Sequence, residues 1–400
     1  MIRLAIITSH PIQYNAPFFQ CLAQQPGLQL RVFYSWVGTA GQNDPEFGHP
    51  IQWDLPLLEG YDFRFVENRA QDPGTHHFNG LNNPTMVAEI QAWQPHVLLV
   101  YGWPFRTHLR VLRAFHGRVP ILFRGDSNLL ASGGFFNSQR RIFPWLRRLV
   151  LRWVYGHVDG ALPVGQLNDD YFRAFNIPDQ RRFRVPHMVD NARFAADHGA
   201  RCAEALTQRR RLGIDDEKVV LLFAGKFVPH KQPMQILQAV QQANRLSEDR
   251  LVLLLVGSGP LQADLQQQAL GDKAIFFMET ANQQAMPMIY RMGDLLVLPS
   301  RNETWGLAVN EAMACQRPAL VSSQVGCGPD LIVPGETGWS YPFGQEQQLP
   351  ALLLEWCQSR AHLAAMGARA YARIQDYSFT QGARALMSAL QQMTAAFNRP

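Results

Sequence analysis

The sequence predicts an α/β protein made of two Rossmann-like, doubly wound parallel-sheet domains that face one another across a cleft. Three observations predict it. Short apolar runs alternate with longer helical patterns, as in successive βαβ units. Several of those runs are apolar throughout, as strands covered on both faces are. The alternation breaks in a polar stretch near mid-chain and then begins again. A chain of 400 residues accommodates two or three domains.

In the first half the strand candidates are Leu4–Ile7, Leu30–Tyr34, Val97–Tyr101, Ile121–Phe123, Gly160–Val164 and Phe183–Val185. Helical segments between them include Asn15–Gln25, Arg106–Phe115 and Arg140–Gly156. The Arg-rich stretch Asn191–Glu217 reads as a joint. Beyond it come strands Val219–Phe223, Leu251–Val256, Ala274–Phe277, Leu295–Leu298 and Ala319–Ser322. Helices fall near Met234–Leu246, Pro260–Leu270, Gln284–Met292 and Leu307–Gln316, with Pro233 and Pro260 at helix starts. The expected division is 1–195 and 196–379, with a last helix at about 380–397 returning to the first domain. Paired sheets of this kind bind ligands at the carboxyl ends of their strands.

Composition narrows the class without choosing a function. Apolar residues form 47% and charged residues 17%, enough for packed cores. Thirty-seven basic against 32 acidic residues give +5, a mild excess that favours anionic partners. Five scattered cysteines, with no C-x-x-C pair, argue against a disulfide framework or a structural zinc site and favour a reducing compartment. The N-terminus is too briefly apolar for a signal peptide, and no window approaches the roughly 18 apolar residues of a membrane span. A cytoplasmic protein, at most peripheral on the inner face of the plasma membrane, is expected.

The chemistry concentrates in Leu298-Pro-Ser-Arg-Asn-Glu303-Thr-Trp-Gly306-Leu-Ala-Val-Asn-Glu311. A strand ends at Leu298, a loop carries Glu303, and a helix opens near Gly306. Unsatisfied N–H groups and the dipole at that helix start suit a diphosphate oxygen, and glycine lets it approach. Glu311, further along the helix, is placed for vicinal ribose hydroxyls, and Glu303 for the sugar beyond. The second segment, Gly225-Lys226-Phe-Val-Pro-His-Lys231, follows another strand. Two lysines in one such loop supply fixed positive charge for a leaving group whose negative charge grows as its bond breaks.

These residues resemble the retaining GT-B glycosyltransferases of family 4, the group 1 type. Glu303 and Glu311 match that family's E-x7-E signature, and Gly225-Lys226-Phe227 with Lys231-Gln232 resembles its G-R-L…K-G element. Val256-Gly-Ser-Gly-Pro260, Val325-Gly326…Asp330 and Pro334-Gly-Glu-Thr-Gly338 are similar to further family segments, so the resemblance covers roughly 218–345. It implies transfer of a sugar, with retention, from a UDP- or GDP-linked donor, with no cofactor and no metal. Glu303, Lys231 and Lys226 would be catalytic. Gly225, Trp305, Gly306, Leu307 and Glu311 would join them in donor binding, with Met278, Glu279 and Thr280 at the base.

The first domain matches more loosely. Ile7-Thr-Ser-His10-Pro-Ile-Gln-Tyr14-Asn15 resembles the family's opening loop without its glycine pair. Where many relatives carry a histidine the run is Arg124-Gly-Asp126. His10, Tyr14, Asn15, Arg124 and Asp126 are the acceptor-side candidates, although Arg124 and Asp126 also suit a structural pair. The acceptor implied is a lipid-linked or surface-polysaccharide glycan.

The run from Arg140 to Tyr155, with its arginines between Arg140 and Arg152, also carries Trp145, Leu149 and Trp153. It reads as a core helix with a solvated arginine face, or as a dock for an anionic membrane. No RNP, zinc or helix-turn-helix pattern supports nucleic-acid binding. Two other functions fit the architecture: a sugar-nucleotide epimerase, and a non-catalytic nucleotide-sugar or glycan binder.

Overall fold

The computed structural model describes residues 1–38, 53–130, 144–247 and 250–397. The chain forms two compact units. The first takes residues 1–38, 56–130, 144–187 and 379–397, and the second takes 53–55 and 188–378 apart from 248–249.

The first unit holds six parallel strands: β1 (Ile2–Thr8), β2 (Leu28–Tyr34), β3 (Asp62–Phe65), β4 (Val97–Tyr101), β5 (Ile121–Arg124) and β6 (Gly160–Ala161). Their order is β3-β2-β1-β4-β5-β6. The central strands β1 and β4 pair with Leu4 opposite Val97 and Ile7 opposite Val100. These are the fully apolar segments, buried on both faces. Helices α1 (Ala16–Ala23), α2 (Met86–Trp93), α3 (Arg106–Phe115), α4 (Pro144–Tyr155) and α5 (Gln166–Ala174) cover the sheet.

The second unit repeats the plan with β7 (Val219–Ala224), β8 (Leu251–Val256), β9 (Ile275–Met278), β10 (Leu295–Leu298), β11 (Ala319–Ser322) and β12 (Gly338–Tyr341), in order β12-β11-β10-β7-β8-β9. Its helices are α6 (Asn191–Ala195), α7 (His198–Arg211), α8 (Pro233–Leu246), α9 (Gln262–Gln268), α10 (Met286–Met292), α11 (Leu307–Ala314), α12 (Gly328–Leu331), α13 (Leu349–Trp356) and α14 (Arg360–Ile374). A last helix, α15 (Phe379–Phe397), belongs to the first unit, where Phe379 packs on Phe18 of α1 at a ring distance of 5.9 Å. Counted from its own first strand, each sheet has the doubly wound order in which the chain reverses beside that strand. The reversals lie between β1 and β4 and between β7 and β10.

Three expectations are corrected. The division falls at 187/188 rather than after 195, because α6 packs with the second unit: Asn191 Nδ2 donates to Ile374 O (2.9 Å) and Arg193 Nη1 to Gln283 O (2.6 Å). The supposed joint 191–217 contains α6, which packs on α10 and α11, and α7, which packs on α10. Arg209 of α7 is buried, pairs with Asp294 at 2.9 Å and donates to Met292 O, while Asp294 accepts from Val220 N. Phe183–Val185 is no strand. It runs beside β6, with Phe183 N on Ala161 O and Val185 N on Pro163 O, but the bridge to Ala161 is made by Arg182, just before it. The short, half-polar edge strands β3 and β12 carried too weak an alternation to be read from the sequence.

Candidate donor site

The loops that leave β7 and β10 flank the reversal of the second sheet, where ligands of such sheets bind. The β7 loop begins at Gly225 and turns through Lys226 to Lys231. Its path is fixed by β8. Phe227 N donates to Ser258 O (2.8 Å) and Leu261 N to Phe227 O (3.0 Å), while Gly257 N reaches across to Met278 O (3.1 Å). Gly257 lies so close to this loop that a Cβ there would meet the Gly225 carbonyl oxygen at 2.0 Å, and its φ is +152°.

The β10 loop is held on its other side by the segment after β11. Glu303 bridges Val325, Gly326 N donates to Glu303 O (3.0 Å) and Cys327 N to Trp305 O (2.9 Å). Gly306, at φ +101°, then opens α11, and a Cβ there would lie 3.0 Å from both Leu298 and Val325. The loop therefore passes tightly over the strand end and presents the first turn of α11, where Val309 N donates to Gly306 O (2.9 Å) and the Leu307 and Ala308 N–H groups precede any acceptor of the helix.

The two loops meet. Arg301 N donates to His230 O (2.9 Å), and Lys231 Nζ donates to Glu303 Oε2 in an ion pair whose side chains are 22% and 17% exposed. A cation and a carboxylate from opposite sides of the reversal thus share one place, next to the α11 start. Gly225 and Lys226 are half-buried on the same loop, and Leu307 is the first residue of the helix.

Glu311 is held from α10, where Tyr290 OH donates to its Oε2 at 2.5 Å. Burial lifts the Glu311 carboxyl from its ordinary 4.5 to about 7, and the Tyr290 bond and the Arg193 charge pull the other way. Tyr290 is a partner of Glu311 that the sequence did not reveal, since their meeting depends on how two helices pack. Arg193, spent on Gln283, is another.

Of the residues expected at the base, Thr280 Oγ1 is hydrogen-bonded to Ser258 Oγ (2.9 Å), Glu279 is exposed, and the Met278 carbonyl already accepts from Gly257. Trp305 is corrected. Its ring is buried, donates through Nε1 to Asn310 Oδ1 (2.8 Å) and packs near Tyr377, so the side chain shapes the loop from within.

In the first unit, the candidates gather at the carboxyl ends of β1 and β5. His10 bonds Ser9 Oγ through Nδ1 (3.0 Å) and stands edge-on to Trp36, and burial lowers its pKa to about 4, so it is a neutral imidazole. Tyr14 stands against the ring of His187 at 5.8 Å, with its hydroxyl pushed up by burial and then by the charge of Asp126. Burial, with Arg124 adding to it, lowers His187 to about 3. Asn15 precedes α1, and Asp126 is half-buried.

Arg124 is corrected from a possible ligand contact to a clamp. Its buried guanidinium donates to Val185 O and Pro186 O, both at 2.8 Å. Among the described residues, Asp72, His76 and His77 on an exposed loop of this unit have ligand types suited to a cation. They already bond one another, His76 Nε2 to Asp72 Oδ2 at 2.9 Å.

Two doubly wound sheets, with a lysine–glutamate pair at the reversal of the second, define the GT-B class of fold. Residues 205–373, within this second unit, match the family of glycosyl transferases group 1. A D-inositol 3-phosphate glycosyltransferase of Geodermatophilus obscurus is 31% identical over 235 residues, 55% of this chain and 50% of that protein. The chain thus spans about half the length of such relatives. The sucrose-phosphate synthase of Thermosynechococcus elongatus superposes with a TM-score of 0.73 at 18% identity, covering 99% of this chain and 100% of that one. Anabaena HepE, in complex with UDP and glucose, does so with 0.70 at 15% identity, covering 98% and 100%.

If Glu311 meets the donor ribose as the sequence leads one to expect, donor binding depends on pH: ribose hydroxyls donate to a carboxylate, so a donor would favour the ionised form and release the proton that burial retains below about pH 7. Donor affinity should rise roughly tenfold from pH 6 to pH 8. Titration calorimetry at both values checks this, and Glu311→Gln should remove most of the difference. The same shift acts on stability with the opposite slope. Its contribution is complete below pH 4.5 and is lost as pH rises through about 7.

Proposed function

We propose that this protein is a retaining glycosyltransferase that passes a sugar from a UDP- or GDP-linked donor to a glycan acceptor, lipid-linked and destined for a surface polysaccharide. The observation that carries this reading is the meeting of Lys231 and Glu303 at the reversal of the second sheet, beside the first turn of α11. The family match at 205–373 and the UDP and glucose held by Anabaena HepE support a nucleotide-linked donor.

In the proposed reaction the bond between C1 of the sugar and the diphosphate oxygen breaks, and its electron pair leaves with the diphosphate. Lys226, Lys231 and the α11 N–H groups neutralise that growing charge. Glu303 orients the sugar hydroxyls and Glu311 the ribose. The acceptor oxygen bonds C1 on the face the leaving group vacates, and its proton passes to the departing phosphate oxygen. No protein nucleophile and no metal is required. None of the five cysteines forms a disulfide, and among the described residues no helix is long and apolar enough to cross a membrane. We place the reaction at the cytoplasmic face.

Incubation with a panel of nucleotide sugars, following slow hydrolysis, identifies the donor without knowledge of the acceptor. Turnover unchanged by EDTA and an NMR-determined product anomer matching the donor are expected. An epimerised sugar without diphosphate release, or binding without turnover, would replace transfer with one of the other two functions.

A further inference from the structure

We propose that the outer face of α4 docks the first unit on an anionic lipid surface. The surface itself is argued from the helix; only its purpose, delivery of a lipid-linked acceptor, rests on the transferase reading. The helix Pro144–Tyr155 contains three arginines and no acid. Leu151, Val154 and Tyr155 are buried and anchor it to the unit's core. The other face is not the solvated arginine face of an ordinary surface helix. Trp145, Leu146, Leu149, Val150 and Trp153 are exposed by 61, 41, 52, 39 and 48%.

Those five positions follow the spacing i, i+1, i+4, i+5, i+8, which is one continuous stripe on a helix. Arg148 and Arg152, four apart and exposed, run along the stripe. Arg140 and Arg141 lie outside the described residues. An apolar stripe with tryptophans, flanked by arginines and free of acids, is what an interfacial helix presents to anionic headgroups. One helix face of twelve residues is small beside the ~800 Å² per partner of a stable protein interface. Lipid is the occupant whose charge and shape fit.

Vesicle co-sedimentation of the full chain tests this. Binding is expected to vesicles of phosphatidylcholine with about a third phosphatidylglycerol, weakened by salt, and at least tenfold weaker to phosphatidylcholine alone. Arg148→Ala with Arg152→Ala should weaken it about 25-fold, roughly fivefold for each charge. Leu149→Glu with Trp153→Glu should abolish it while leaving slow donor hydrolysis unchanged, which shows that the variant is folded and keeps this proposal separate from the catalytic one. Wild-type protein that ignores anionic vesicles, or that is dimeric where the glutamate variant is monomeric, overturns lipid as the occupant.

Discussion

Lys231→Ala is expected to lower the rate of sugar transfer by about 10²–10³-fold, equivalent to roughly 2.7–4 kcal/mol of barrier. The lysine emerges from the β7 loop as a fixed cation whose position is set by Glu303 and by the backbone bond from Arg301 to His230. Charge accumulates on the leaving diphosphate only as the bond to the sugar breaks. A preplaced cation therefore acts more on the transition state than on bound donor. The loss should appear mainly in kcat, with a smaller rise in KM. The pair itself is partly solvated, so its loss costs little stability. Initial rates at saturating donor, together with a thermal melt, measure both. An unchanged kcat would remove the lysine from the chemistry.

Gly257→Ala is expected to destabilise the second unit by about 4 kcal/mol, the combined cost of a strained backbone and an overpacked contact. The added methyl would enter the Gly225 carbonyl at 2.0 Å and the Phe227 ring at 3.2 Å, and φ is +152°. Backbone cannot yield as a flexible side chain does, so the β7 loop must shift and carry Lys226 and Lys231 with it. Calorimetric unfolding should show a transition lowered by about 10 °C. Gly271→Ala is the control: its φ is +78°, but no atom lies within 4 Å of the added carbon. It should cost about 1 kcal/mol. Equal melting of the two variants would show that the loop contact is not tight.

The sequence carried the second unit further than the first because its strands are continuous apolar runs and its loops hold paired motifs. Glu303 with Glu311, and Gly225 with Lys226 and Lys231, stood out as motifs before the meeting of Lys231 with Glu303 was seen. That meeting follows from strand order: β7 and β10 are adjacent although some 70 residues apart, and no local pattern encodes it. Tyr290 and Arg193 were hidden for the same reason.

Polar residues misled in three places. The arginines of 191–217 resembled a solvated joint, yet Arg209 is buried against Asp294. Arg124 resembled a ligand contact, yet its guanidinium is spent on two carbonyls. Trp305, in the midst of the donor motif, turns into the core. Charge and spacing announce that a residue is special, but its partner decides what it does. For α4 the sequence left two readings of the outer face open, and that face carries exposed apolar side chains beside its arginines.

Hydrogen exchange with and without UDP or GDP tests the central assignment most directly. The account predicts slowed exchange in Gly225–Lys231 and Leu298–Glu311 of the second unit, diminished in Lys231→Ala and Glu311→Ala. Protection confined to other segments, or equal protection in those variants, would contradict it.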